Sequence, residues 1–477
     1  MKEARVLTVT DIVVMNVVSI VSLRHIAGLA SYGASAMVMW LMAACCLFLP
    51  MAMVCGELST IWASDGGMFI WVREAFGKRI GWMVVAFYAL SCLLYFPLML
   101  QYALSTLAVA LGGNLADHSL AIALASIAIF WLLTGLNILG MQWTRHINRF
   151  SMLLGVFIPV GILVVLAVVW LASGRTMQTP YPGSMTQWMP DMRRMDAIVY
   201  LSSTMFAFAG LEVAPMVAGR TRHPQRDFPR AILVSAVLIM LFYMVGTWCL
   251  NILHPSDNID IVAGVAQALI LATRTFGIPW LLPLMAVCLM IGTLGQVNAW
   301  MVGQIVMLQE ASREYRILGT KITENHPVHG TPANALLAQA VIVTGLCLLA
   351  LLSPSVQAAY WEFASLTMLC YFVPYLSIFA AYLRLLATRA THPRSFRIPG
   401  RILPVALPVV GLLAVLFSMV LCLVPPANLT LAGDLFTFAG KHVLTLFAVW
   451  LAADRLYRHA TRRTAPQTAP GSPSPGR

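Results

Sequence analysis

Charge is scarce in this sequence. Only 10% of its 477 residues are Asp, Glu, Lys or Arg, against 60% that are hydrophobic, too little charge for an ordinary water-soluble surface. The nine cysteines all fall in apolar runs without paired metal-ligand spacing. They read as small buried apolar residues, and neither a disulfide framework nor a metal site is indicated. No His-x-x-x-His and no Ser/His or paired-Asp constellation stands at membrane depth, so an intramembrane enzyme is not expected, and no cofactor is implied. Strand-like alternation is missing, so a barrel is not expected. No small-residue cleavage site follows the first apolar run, which is itself too long for a signal peptide.

What remains is a succession of apolar runs long enough to span a bilayer. The sequence predicts an all-α polytopic membrane protein of about twelve transmembrane helices, at roughly 9–30, 36–58, 80–111, 119–138, 148–172, 195–218, 230–252, 278–309, 333–352, 358–386, 403–425 and 434–457. The excess of basic over acidic residues, 30 to 18, tempts one toward nucleic acid. With a cytoplasmic N-terminus, however, about 24 of the 30 fall in the tails and cytoplasmic loops, the arrangement that orients a chain in the membrane. Both termini are therefore predicted on the cytoplasmic side of the cell membrane, with no nucleic-acid partner. Residues 1–460 read as one transmembrane domain and 461–477, rich in Pro, Ser and Thr, as a disordered tail.

Two spans are costly as plain lipid anchors. Residues 200–220 hold Ala209, Gly210 and the carboxylate of Glu212, with Pro215 three residues on. A charge at that depth costs a few kcal/mol unless it faces a cavity or a partner. Either the helix is broken and its free backbone faces a ligand, or it is kinked and Glu212 bonds a neighbouring helix. The first span carries Ser19, Ser22, Arg24, His25 and Gly28 in its second half. Unwinding near Ser22 would point a half-helix N-terminus at the membrane centre, where an anionic group docks. Arg24 then either adds a positive charge beside such a ligand, or snorkels, or pairs with Glu212. Glu212 and then His25 are the candidate protonation-sensitive groups.

Amphipathic segments at 65–77 and 263–277, each ending in Phe-Gly, follow the second and seventh spans. With breaks in the first and sixth, this is the pattern of two five-helix units in inverted orientation, about 9–172 and 195–386, with the site between them. The last two spans, about 403–457, read as scaffold or as the contact of a homodimer. Tyr371 and Tyr375, four residues apart, share one face of the tenth span.

These motifs resemble a known family. Glu57-Leu58-Ser59-Thr60 through Gly66-Gly67-Met68-Phe69-Ile70-Trp71-Val72-Arg73-Glu74-Ala75-Phe76-Gly77 is similar to the signature of the amino acid–polyamine–organocation superfamily. So are Gly210-Leu211-Glu212-Val213-Ala214, His223-Pro224-Gln225-Arg226-Asp227-Phe228-Pro229-Arg230-Ala231 and Phe396-Arg397-Ile398-Pro399-Gly400. With residues 292–303 and Val424-Pro425-Pro426 the chain looks most like the glutamate/γ-aminobutyrate antiporter branch. The resemblance implies a LeuT-type fold with broken helices 1 and 6, alternating access, and exchange or proton-coupled movement of amino acids. Residue by residue it points to Ser22 at the first break, Phe206, Ala209, Gly210 and Glu212 at the second, Trp300 in helix 8, and Tyr371 and Tyr375 in helix 10. Arg24-His25 departs from the branch, which carries an uncharged aromatic and an acid there. A proton-coupled symporter, a channel and a non-transporting amino acid sensor are the rival readings.

Overall fold

A computed structural model describes residues 7–62, 65–112, 119–184, 188–190, 195–259, 264–352, 356–389, 394–424 and 435–464. Among them there is no β-strand, only an isolated bridge between Leu7 and Thr221. Lipid offers backbone amides no hydrogen-bond partners, so a chain this apolar satisfies them within helices.

Among the described residues ten helices are long and apolar enough to cross a membrane. They are α3 (Ser35–Ile61), α5 (Lys78–Ala110), α6 (Ser119–Ile138), α7 (Gln142–Ala172), α9 (Pro224–Leu253), α11 (Leu281–Tyr315), α12 (Ala333–Leu349), α13 (Val356–Thr388), α14 (Leu403–Leu421) and α15 (Leu435–Thr464). The first span is a pair, α1 (Val9–Ile20) and α2 (Leu23–Ala30), bent by 44°. The helix predicted at 195–218 is shorter: α8 (Met195–Phe206) stops at Phe206. Two further helices, α4 (Met68–Phe76) and α10 (Gly264–Thr275), occupy the amphipathic segments. Ala263 and Pro425-Pro426 lie outside the described residues.

Several helices outrun their apolar stretches, because a helix once formed extends cheaply through polar residues beyond the hydrocarbon. α11 reaches Tyr315, where Arg316 stops it in the left-handed conformation. α7 starts at Gln142 and contains a π-bulge over Leu153–Phe157, around Gly155, which packs against Gly292 of α11. α15 runs to Thr464, so the tail predicted from 461 begins within it, and residues 465–477 lie outside the described residues.

α5 lies against α11 and α13, and α9 against α1, α2, α3 and α7, so both groups bracket the bent pair and the end of α8. α4 is not a surface helix: Met68, Phe69, Ile70, Trp71, Val72 and Ala75 are buried, packed on α5 and α13. At its start α1 is fixed by a reciprocal cap. The Asp11 amide donates to the Thr8 hydroxyl and the Thr8 amide donates to the Asp11 carboxylate at 3.0 Å, a capping box that satisfies two otherwise free donors. Arg145 and Arg149 of α7 complete the Asp11 shell at 3.2 and 2.6 Å.

Candidate functional site

The site is built where two helices stop. α1 ends at Ile20, Val21 and Ser22 are extended, and α2 restarts at Leu23. α8 gives way at Ala207 to turns through Val213, then to a 3-10 segment, Ala214–Arg220. At the second break Gly210 takes φ +128°, a left-handed value that a side chain resists. A Cβ there would stand 2.9 Å from Ile20 and 3.2 Å from the Ser19 hydroxyl. The two breaks thus touch backbone to side chain, and glycine alone fits the contact.

A broken helix leaves carbonyls without partners, and buried ones must find others. The Ser19 carbonyl accepts from Gln296 Nε2 at 2.9 Å and from Trp300 Nε1 at 2.8 Å. The Tyr243 hydroxyl of α9 lies 2.7 Å from the Ile20 carbonyl and 2.8 Å from that of Ala207. The Ser19 hydroxyl donates within its own turn to Met15 at 2.7 Å and reaches the Gly210 carbonyl at 3.3 Å.

Glu212 is fully buried beside this junction. Its Oε1 lies 2.5 Å from the Tyr371 hydroxyl and 3.1 Å from that of Tyr88; its Oε2 lies 2.7 Å from the Tyr375 hydroxyl and accepts from the Gly210 amide at 3.2 Å. The hydroxyls of Tyr371 and Tyr375 are 2.9 Å apart. The triangle of Glu212, Tyr371 and Tyr375 has three short edges, and each edge needs one proton. A carboxylate leaves two phenolic protons for three edges. A protonated Glu212 supplies the third, so that each group donates once and accepts once around the ring.

An aromatic wall surrounds the carboxylate. Trp300 packs on Tyr95, Tyr371 and Tyr88 at centroid distances of 4.8, 5.4 and 6.1 Å, and Phe206 meets Tyr371 edge-on at 5.3 Å. The structure therefore brings together Phe206, Gly210, Glu212, Trp300, Tyr371 and Tyr375. Ala209, also buried, donates its amide back to the Phe206 carbonyl at 2.9 Å. Ser22 lines a small cavity with Gly292, Thr293 and Gln296. Arg24 and His25 are buried in α2 and hydrogen-bond each other at 2.9 Å. The ion pair between Arg24 and Glu212 weighed above does not form: phenols and an amide satisfy the carboxylate instead. Tyr243 carried no signal in the sequence, where a tyrosine in an apolar run reads as an ordinary lipid-facing aromatic. Ser19 stands out in the sequence only as one polar residue of a costly span, and Gln296 only as part of the stretch 292–303.

One end of the 3-10 segment is tied to the quoted motifs. The Gly66 amide donates to the Met216 carbonyl at 2.9 Å, and the Gly219 amide to Asp65 Oδ1 at 2.8 Å. The Arg222 amide donates to the Leu7 carbonyl at 3.1 Å. Glu57, in the same motif, forms a buried ion pair with Arg394 and accepts from Tyr382 and from the Ile398 amide, both at 2.9 Å. Arg73 of α4 pairs with Glu314 and Glu74; burial disfavours its cation, but these two carboxylates outweigh it and raise its pKa above the usual guanidinium value.

Interrupted helices meeting over a buried carboxylate, inside a bundle of membrane-length helices, define a multi-pass membrane protein with a polar site at its centre. The chain belongs to the amino acid permease family, whose sequence model matches residues 6–449, within the amino acid–polyamine–organocation superfamily of transporters. It is 29% identical over 456 residues to an uncharacterised transporter of Legionella pneumophila, covering 94% of this chain and 97% of that one. It is 26% identical to a glutamate/gamma-aminobutyrate antiporter of Lactococcus lactis, over 80% of this chain and 76% of that one. A probable agmatine/putrescine antiporter of the same species is 22% identical over 81% of each.

Proposed function

We propose that this permease is an exchanger, moving an acidic or neutral, glutamate-like amino acid one way and a related amine or amino acid the other by alternating access. The observation that carries the proposal is the Glu212 carboxylate, set at the second break and ringed by Tyr371 and Tyr375. Exchange requires a group whose bonding differs between states, and the ring closes only when Glu212 holds a proton. Glu212 is then the coupling group. Ser22, Ala209 and Gly210 offer backbone at the breaks to the substrate, and Phe206, Trp300, Tyr371 and Tyr375 act as aromatic gates. Arg24, backed by His25, favours a substrate with a second acidic group over a polyamine. The glutamate/gamma-aminobutyrate relative supports this direction.

The proposed architecture is twelve spans: the ten long helices, the bent pair, and α8 with its broken continuation. Ten of them form two inverted units, with α14 and α15 added as a scaffold or dimer contact and both termini cytoplasmic.

Purified protein in liposomes loaded with unlabelled glutamate, γ-aminobutyrate or other amino acids, one at a time, tests this through uptake of labelled glutamate from acidic to neutral external pH. Uptake that needs an internal amino acid and disappears in Glu212→Gln is the expected result. Uptake into empty vesicles driven by a proton gradient would make the protein a symporter, and binding without flux a sensor. Arg24→Ala should erase the preference for acidic over neutral substrates; an unchanged preference removes Arg24 from the selectivity argument.

A further inference from the structure

The last turns of α15 carry a concentration of positive charge that the transport site does not use. Arg455, Arg458, His459 and Arg462, with Leu456 among them, line one open hollow on the outside of the helix. Their spacing of three, four and seven residues puts them on one stripe. Asp454 is the acid beside them, and both its oxygens are taken, by Arg79 and by Arg458, each at 2.7 Å. Among the described residues no carboxylate pairs with Arg455 or Arg462, and both are exposed.

The stripe continues down the helix as an apolar track. At about 100° per residue, Leu444 lies within roughly 20° of the azimuth of Arg455 and at the same azimuth as Arg462. Leu444 is 67% exposed and Phe447, one turn on, 54%. Trp450 stacks on Phe447 at 6.0 Å, an aromatic between the apolar track and the cationic turn, where membrane–water boundaries favour one. An exposed apolar track capped by exposed guanidinium groups matches a molecule with an acyl chain at one end and an anionic phosphate at the other.

We propose that the C-terminal turns of α15 are a binding site for an anionic phospholipid, its phosphate held by Arg455, His459 and Arg462 and one chain lying along Leu444 and Phe447. Arg458, engaged with Asp454, stands beside the headgroup as a second-rank contact. The site is independent of the transport reading and survives its failure.

Native mass spectrometry of the detergent-purified protein tests it. The protein is titrated with phosphatidylglycerol and, separately, with phosphatidylcholine of the same chains, and the retained lipid is counted. Phosphatidylglycerol should be held at least about tenfold more tightly, and Arg455→Gln/His459→Gln/Arg462→Gln should remove the difference. An unchanged melting temperature in phosphatidylcholine shows that the triple variant is folded; should it not fold, Arg455→Gln and Arg462→Gln singly should each reduce retention by about threefold. Glycerol phosphate, a headgroup without chains, should fail to compete at equal concentration. Equal retention of the two lipids, or a folded variant that keeps the wild-type preference because the basic turn only orients the chain, overturns the proposal. Effective competition by glycerol phosphate would make it a soluble-phosphate site and overturn the lipid assignment.

Discussion

The hydroxyl of Tyr243 bonds the Ile20 carbonyl at the end of α1, in the first broken span, and also lies 2.8 Å from the Ala207 carbonyl of the second. One phenol in α9 thus ties both interruptions to the same helix, while Tyr243 itself stacks on Trp40 at 4.2 Å. Tyr243→Phe keeps the ring and the stacking and removes only the tie. The two buried carbonyls then lose the one proton they share, at about 1–3 kcal/mol for such a loss. A lower melting temperature in detergent, with expression retained and transport reduced, is the expected result. An unchanged melting temperature would mean that the carbonyls find other donors.

Gly210→Ala meets two obstacles at once, the left-handed φ of +128° and a Cβ 2.9 Å from Ile20. Strain of this kind costs roughly 1–3 kcal/mol before any clash is counted. Gly161 in α7 is the control, since a Cβ there meets nothing within 4 Å and alanine is the better helix former by up to about 1 kcal/mol. Uptake should be abolished by the first change and untouched by the second. Full uptake by Gly210→Ala would show that the two breaks do not need their close contact.

The hydrogen-bonded triangle predicts non-additivity. Tyr371→Phe and Tyr375→Phe each open it, so the double variant should lose little more transport than either single one, because networked groups act as a unit. Tyr88, bonded to Glu212 at 3.1 Å but outside the triangle, should couple to either tyrosine more weakly than the two couple to each other. Transport rates of the single and double variants in liposomes decide it; strictly additive losses would refute the ring.

A double-mutant cycle at Glu57 and Arg394 should separate a buried pair from a surface one. The side chains are 2% and 6% exposed, and removing one partner of such a pair costs about 3–5 kcal/mol because the other charge is stranded. Glu57→Gln and Arg394→Met should each destabilise strongly and their combination by less than the sum. Arg313 and Glu310, exposed at 40% and 35%, should show about 0–1 kcal/mol of coupling in the same assay.

Much of the centre could be seen in the residues themselves. Polar and glycine-rich positions at membrane depth are costly, so Ser22, Gly210 and Glu212 marked where helices give way, and four-residue spacing put Tyr371 and Tyr375 on one face. What could not be seen was azimuth between helices. Nothing in a run of apolar residues says that Tyr243 turns inward while Trp248, a turn later, is 48% exposed. Nor does sequence say that Arg145, before the span predicted at 148–172, and Arg149, at its start, both reach Asp11. The same blindness left the pairing of Arg24 with Glu212 open, because it depends on how α2 is rotated.

The partners of Glu57 have a consequence for biosynthesis. Arg394 and Ile398 are 337 and 341 residues further along the chain. At about 5–20 residues per second, the acid waits on the order of 20–70 s for its cation while the intervening spans emerge from the ribosome. Chains that stall or terminate before Arg394 carry an unneutralised acid in the second span. Such truncated chains should be cleared by membrane quality control, whereas those that pass residue 398 should escape it.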